Sequence, residues 1–152
     1  MRAFVCAGAG FLLAVLWMDL MFDVQVLRRS VGGAEDEGER LASIAAYYRR
    51  VTTTARPMNR LVAAAMVATI AGIVVEVARR DRPGWAGWAS LALAVMPVTL
   101  ATVRTVPNAV RLGTRQDSLA TQRGRALAIG HDHLLCLAAI TGLLVVQLAW
   151  AT

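Results

Sequence analysis

The chain has 152 residues, 57% of them hydrophobic and 17% charged, against ~45–50% apolar in an ordinary globular domain. All 16 basic residues are arginine, the net charge is +6 and the mean hydropathy is +0.54; lysine-based Schiff chemistry is therefore absent. A soluble enzyme, a zinc finger, a disulfide scaffold and a disordered tail are excluded, and nucleic acid is not an expected partner, because the arginines sit between long apolar runs.

The first run is uncharged from Ala3 to Met18, and its apolar character continues past Asp19 and Asp23 to Leu27. No small-x-small cleavage site follows it, so it is read as a retained helix over about 3–28, not a signal peptide. Val31 to Gly38, with Gly32, Gly33, Glu35, Asp36 and Glu37, predicts a mobile turn. Leu41, Ile44, Tyr48 and Val51 are then spaced by three or four, which predicts a helix over about 39–55. Flanked by Tyr47, Arg49 and Arg50, it is expected at the membrane surface. Pro57 suits the first turn of a second span, about 58–79. Arg82-Pro83-Gly84 predicts a tight turn, followed by a third span over about 84–105. Asp117-Ser118 is a plausible N-cap for a helix over about 118–151 that contains the fourth apolar run.

None of the four runs carries the polar stripe of a soluble bundle. The expected fold is all-α: a single integral-membrane four-helix bundle, with an interfacial helix in its first cytoplasmic loop. Twelve arginines in the first and third loops face four on the other side. That bias predicts cytoplasmic long loops, external termini and a multi-pass protein of a bacterial inner or plasma membrane. Small residues mark the expected packing faces: Ala64, Ala68 and Gly72; Ala86, Ser90 and Ala94; Ala138 and Gly142.

Threading the runs alternately through a bilayer brings scarce polar groups to one level. Asp19 and Asp23 end the first helix, and Met58, Asn59 and Arg60 begin the second. Arg104, Asn108 and Arg111 end the third, and His131, Asp132 and His133 precede the fourth run. His131 and His133 are roughly 200° apart on a helix, so only one can face inward. The plain reading pairs Asp19 and Asp23 with Arg104 and Arg111, and Glu76 with Arg79 or Arg80. It gives Gln147 an interhelical hydrogen bond and leaves Cys6 and Cys136 unbridged. Met18, Met21 and Met58 are read as packing residues. The sharper reading is a pocket in which His133, Asp19, Asp23, Asn108 and Arg104 carry chemistry, while Trp17, Tyr48, Asn59, Arg111 and His131 line a site for a lipophilic substrate. A histidine beside a carboxylate is a workable base. Asp19, Asp23 and His133 are also the set that could hold a divalent metal, as oxygen and imidazole ligands do.

Several segments resemble the anthrone-oxygenase-like family of small four-helix membrane proteins. They are Ala7-Gly8-Ala9-Gly10-Phe11, Tyr48 followed by Pro57, Pro97-Val98-Thr99, Pro107-Asn108, and the basic approach to the last helix from Arg125 to His131. The resemblance implies oxygenation of a lipophilic, anthrone-like aromatic by a base-assisted reaction with oxygen. His133 would then take the proton, Asp19 or Asp23 would orient it, and Asn108 with Arg104 would hold the anion. Two alternatives stand beside it: a non-enzymatic membrane module, acting as a small homo-oligomeric transporter or an accessory subunit, and a metal-dependent membrane oxidase.

Overall fold

The computed structural model describes residues 1–27, 34–81 and 83–149. The expected glycine turn at Gly32 and Gly33, and Arg28, Arg29 and Arg82, lie outside them. The described chain is all-helical: α1 (Arg2–Leu27), α2 (Ala34–Thr53), α3 (Arg56–Arg79), α4 (Gly84–Leu100), a π-helical turn (Ala101–Thr105), α5 (Val106–Thr114) and α6 (Leu119–Ala149). Four helical stretches are long and apolar enough to cross a membrane: Arg2–Leu27, Pro57–Arg79, Gly84–Thr114 and Leu119–Ala149. Lipid contact follows from those faces.

The spans form a ring in the order α1, α3, α4, α6, each packed on its two neighbours. Val5, Ala9, Leu12, Ile73, Ala94, Ile140 and Leu143 form the core between them. Gly84–Thr114 and Leu119–Ala149 have 31 residues each, or about 46 Å at 1.5 Å per residue, against a hydrocarbon thickness of about 30 Å. Both therefore protrude at the same end. There α2 packs on them, and a second core forms from Leu41, Ile44, Ala45, Tyr48, Ala109, Leu112, Ala126 and Ile129. The apolar stripe of α2 thus packs against α5 and α6.

Two boundaries differ from the sequence expectation, and a third lies at its expected cap. First, α2 starts at Ala34, so the segment expected as a turn is helical from there. Acidic residues suit a helix N-terminus, and Glu37 also meets Arg123 of α6 at 3.3 Å. Second, the third span continues past its expected end near 105 to Thr114. Pro107 interrupts nothing because the wide turn at Ala101–Thr105 precedes it, with the Val106 N–H bonded to the Ala101 carbonyl. An inserted π turn relieves the clash between a proline ring and the preceding turn. Third, the last helix occupies Leu119–Ala149, with the Ser118 hydroxyl accepting from the Thr121 N–H at 3.4 Å as a cap.

The small-residue faces are partly as expected. Ala86, Ser90 and Ala94 are buried, but Ala64 and Ala138 are exposed. On α3 the close contact is made by Thr69 and Gly72, next to Gly8 and Val5 of α1. A Cβ on Gly8 would lie 2.2 Å from the Thr69 hydroxyl oxygen, which itself donates to the Ala65 carbonyl at 2.7 Å. Gly8→Ala should therefore destabilise by about 1–3 kcal/mol through overpacking. Combining it with Thr69→Ala should recover most of that loss. Unfolding titrations in detergent micelles compare the single and double variants; additive losses would show that α1 and α3 do not meet at this point.

Candidate functional site

Polar groups cluster where α2 meets the spans. Asp19 and Asp23, four apart on one face of α1, receive the adjacent tyrosines of α2. Tyr47 donates to Asp19 Oδ1 at 2.5 Å, and its ring stacks on Phe22 with centroids 4.0 Å apart. Tyr48 donates to Asp23 Oδ1. The second oxygen of Asp23 meets His133 Nδ1 at 2.6 Å. Asp23 is 1% exposed and His133 8%, so one carboxylate joins α1, α2 and α6 out of water.

On the other side of α6, Asp132 is fully buried. It accepts from the Thr105 hydroxyl at 3.1 Å and lies 3.3 Å from Arg104 Nε, whose side chain is 50% exposed. Consecutive residues of α6 thus reach opposite neighbours, His133 toward α1 and Asp132 toward the π turn. A buried carboxylate persists only when such donors compensate its lost hydration.

The expected ion pairs are re-partnered. Asp19 and Asp23 bond tyrosines and a histidine, not Arg104 and Arg111, because α2 stands over the end of α1. Arg104 pairs with Asp132, and Arg111 is exposed. Asn108 Oδ1 accepts from Arg125 Nη1 at 3.1 Å, which makes it part of the α5–α6 connection, where Arg125 Nε also meets Asp117 at 2.8 Å. Asn59 donates to the Val51 carbonyl at 2.5 Å, at the α2–α3 junction. His131 is exposed and His133 buried, as their angular separation requires. Trp17 is 64% exposed, so of the substrate-lining set Trp17, Tyr48, Asn59, Arg111 and His131, only Tyr48 enters the cluster. Tyr47, Thr105 and Asp132 also hold it together: Asp132 lies at the polar level expected from the sequence, Tyr47 is expected there only as a flank of the surface helix, and Thr105 is not anticipated; the tandem Tyr47-Tyr48, opposite two carboxylates four apart, is the available signal.

A second polar cluster lies near the other end of the bundle. Gln147 Nε2 donates to Glu76 at 3.2 Å and approaches Ser90 Oγ at 3.3 Å, which is the interhelical bond expected of Gln147. Glu76 thus has a partner on α6. Cys6 and Cys136 are both free thiols.

Among the described residues, no group of three or more His, Cys, Asp and Glu side chains is arranged to hold a metal ion. Asp23 and His133 face one another at hydrogen-bond spacing, closer than two ligands of one ion ordinarily stand. The metal reading of Asp19, Asp23 and His133 has no geometric support.

Both phenols are pushed above their ordinary value of 10.0, first by burial and then by the neighbouring carboxylates, Asp19 for Tyr47 and Asp23 for Tyr48. The folded protein keeps these protons where an unfolded chain loses them. Their contribution to stability is complete below the ordinary phenol value and declines as pH rises above it. The chain has only two tyrosines, so an alkaline titration followed by absorbance near 295 nm (the tyrosinate band) should show no ionisation until the protein unfolds, then a single step. A free tyrosine titrating near pH 10 in the folded protein would contradict the docking of α2.

The family comparison is decisive about identity. A family model described as SHR3 chaperone, ER membrane protein SH3, matches residues 1–151. No curated protein and no solved structure matches the chain. The family match overturns the resemblance to the anthrone-oxygenase-like family, which rested on short motifs of glycine, proline and small residues that recur in many membrane helices. With it go the oxygenase function and the oxidoreductase assignment. The bacterial inner or plasma membrane gives way to the endoplasmic reticulum named in the family's description, while the multi-pass membrane character stands. Four membrane-length helices and a match over nearly the whole chain agree on one conclusion: this chain belongs to the SHR3 chaperone family of ER membrane proteins.

Proposed function

We propose that the chain is a non-enzymatic chaperone module of the membrane, whose partner is a membrane-inserted polypeptide and not a lipophilic small molecule. The observation that carries this reading is the match of the chaperone family over residues 1–151. The geometry supports it in a specific way. Asp19, Asp23, Asp132 and His133 are engaged with Tyr47, Tyr48, Thr105 and Arg104. In that arrangement they serve as internal fasteners that give a small bundle one defined shape. Their role under this reading is positional: they fix α2 against α1, α5 and α6, and leave the outer faces of the spans to lipid or to another protein's helices.

The test is a depletion experiment. Quantitative proteomics of membranes from cells lacking the chain should show a defined set of multi-spanning proteins retained, aggregated or degraded, and restored by the wild-type chain. The Asp23→Ala variant, lacking the central fastener, should restore them poorly. Membranes in which no multi-spanning protein changes in amount or location would overturn the reading.

A further inference from the structure

The third span carries arginines on one face from the π turn onward. A hydrocarbon core of about 30 Å is crossed by about 20 helical residues, so a span that begins at Gly84 reaches the headgroup level near Arg104. From there Arg104, Asn108 and Arg111 follow at i, i+4 and i+7 and share a face. Arg104 and Arg111 are exposed, and Asn108 is half-buried. Arg125 of α6 joins them, with Nη1 on Asn108 Oδ1 at 3.1 Å. Two acids hold this group by its Nε atoms: Asp132 stands 3.3 Å from Arg104 Nε, and Asp117 stands 2.8 Å from Arg125 Nε. Among the described residues, the terminal nitrogens of Arg104 and Arg111 and the amide nitrogen of Asn108 meet no protein acceptor.

Beside this basic strip runs an apolar one. Val103, Val106 and Val110, at i, i+3 and i+7, are 74%, 50% and 47% exposed. The remaining face of α5, at Ala109 and Leu112, is covered by α2 and α6. Guanidinium and amide N–H groups that lack a protein acceptor fit a phosphate. The adjoining valines fit a hydrocarbon chain, so the ligand that matches both strips is an amphiphile with an anionic head. A headgroup that carries its own ammonium would set that cation among arginines, where like charges repel. We propose that this face binds an anionic phospholipid without an ammonium group, its phosphate on Arg104, Asn108 and Arg111 and an acyl chain along Val103, Val106 and Val110. This inference does not depend on the chaperone reading.

The experiment is native mass spectrometry of the delipidated full chain in detergent, titrated with phosphatidic acid or phosphatidylcholine of the same acyl chains. An arginine facing an anionic lipid contributes about fivefold in affinity, so phosphatidic acid should bind at least about tenfold more tightly. Arg111→Gln removes no ion pair or hydrogen bond within the protein, so it should fold normally and lose about fivefold for phosphatidic acid alone. Arg111→Lys should retain most of the affinity. Arg79→Gln removes the same charge at the end of α3, away from this face, and should leave the preference unchanged. Melting of each variant in the same detergent confirms that it is folded. Soluble glycerol 3-phosphate offers the phosphate without the chains and should compete poorly; displacement of the lipid at comparable concentration would make a free phosphate ester the occupant and overturn the lipid assignment. Equal affinity for the two lipids, a preference that survives Arg111→Gln, or an equal loss in Arg79→Gln would overturn the site.

Discussion

Asp23→Ala should be the most damaging single truncation at the helix interface, costing about 3–5 kcal/mol, the range for removing one partner from a buried charged or hydrogen-bonded set. The substitution strands the Tyr48 hydroxyl and His133 Nδ1, both of which use this carboxylate. It also loosens α2 and α6 from α1 at one stroke. Asp23→Asn retains an acceptor of similar shape and should cost less, about 1–3 kcal/mol. Asp19→Ala should cost least of the three, because Asp19 is only half-buried and its bonded partner Tyr47 is half-buried too. Reversible unfolding in mixed micelles orders the three variants. A loss for Asp23→Ala no greater than that for Asp19→Ala would mean that the Tyr48–Asp23–His133 chain is not what joins the helices.

Ile44→Asp should detach α2 while leaving the spans assembled. Ile44 is fully buried in the core shared by α2, α5 and α6. A carboxylate placed there has no partner, and mutations that bury an unpaired charge fall in the class costing more than about 4 kcal/mol. The core between the spans is built from other residues, so the damage should stay local. Two readouts follow. Tyr47 and Tyr48 should lose their burial and their carboxylate partners, and titrate near their ordinary value of 10.0. Trypsin should also cut after Arg49 or Arg50, which are exposed but protected while α2 remains helical. Spans that melt together with α2, or tyrosines that stay protonated above pH 10 in this variant, would show that the two cores are one cooperative unit.

Much of the architecture is legible in the residue order because it depends on composition over long windows. Uninterrupted apolar runs such as Pro83–Val103 and Leu134–Thr152 have no stable place except a bilayer, and backbone satisfaction there demands helix. The α2 helix is equally visible, from the spacing of Leu41, Ile44 and Tyr48. The inward choice of His133 over His131 follows from helix geometry once α6 is known to run through both. The family was not legible. Short strings such as Gly8-Ala9-Gly10 or Pro107-Asn108 answer to packing and helix-bending needs shared by unrelated membrane bundles, so they resembled a family to which the chain does not belong.

The sequence by itself therefore determined that this is a membrane protein of four long helices, with scarce ionisable groups gathered near one end and a separate amphipathic helix in the first long loop. Only the tertiary structure decided which partner each of those groups takes. Asp19 and Asp23 go to tyrosines, Asp132 to Thr105 and Arg104, and Glu76 to Gln147. The physical reason is that pairing inside a bundle depends on the rotation and depth of each helix. Helices that are apolar on every face carry almost no sequence signal for rotation, so a shift of one residue, such as that from Ala68 to Thr69 on α3, is invisible until backbones meet.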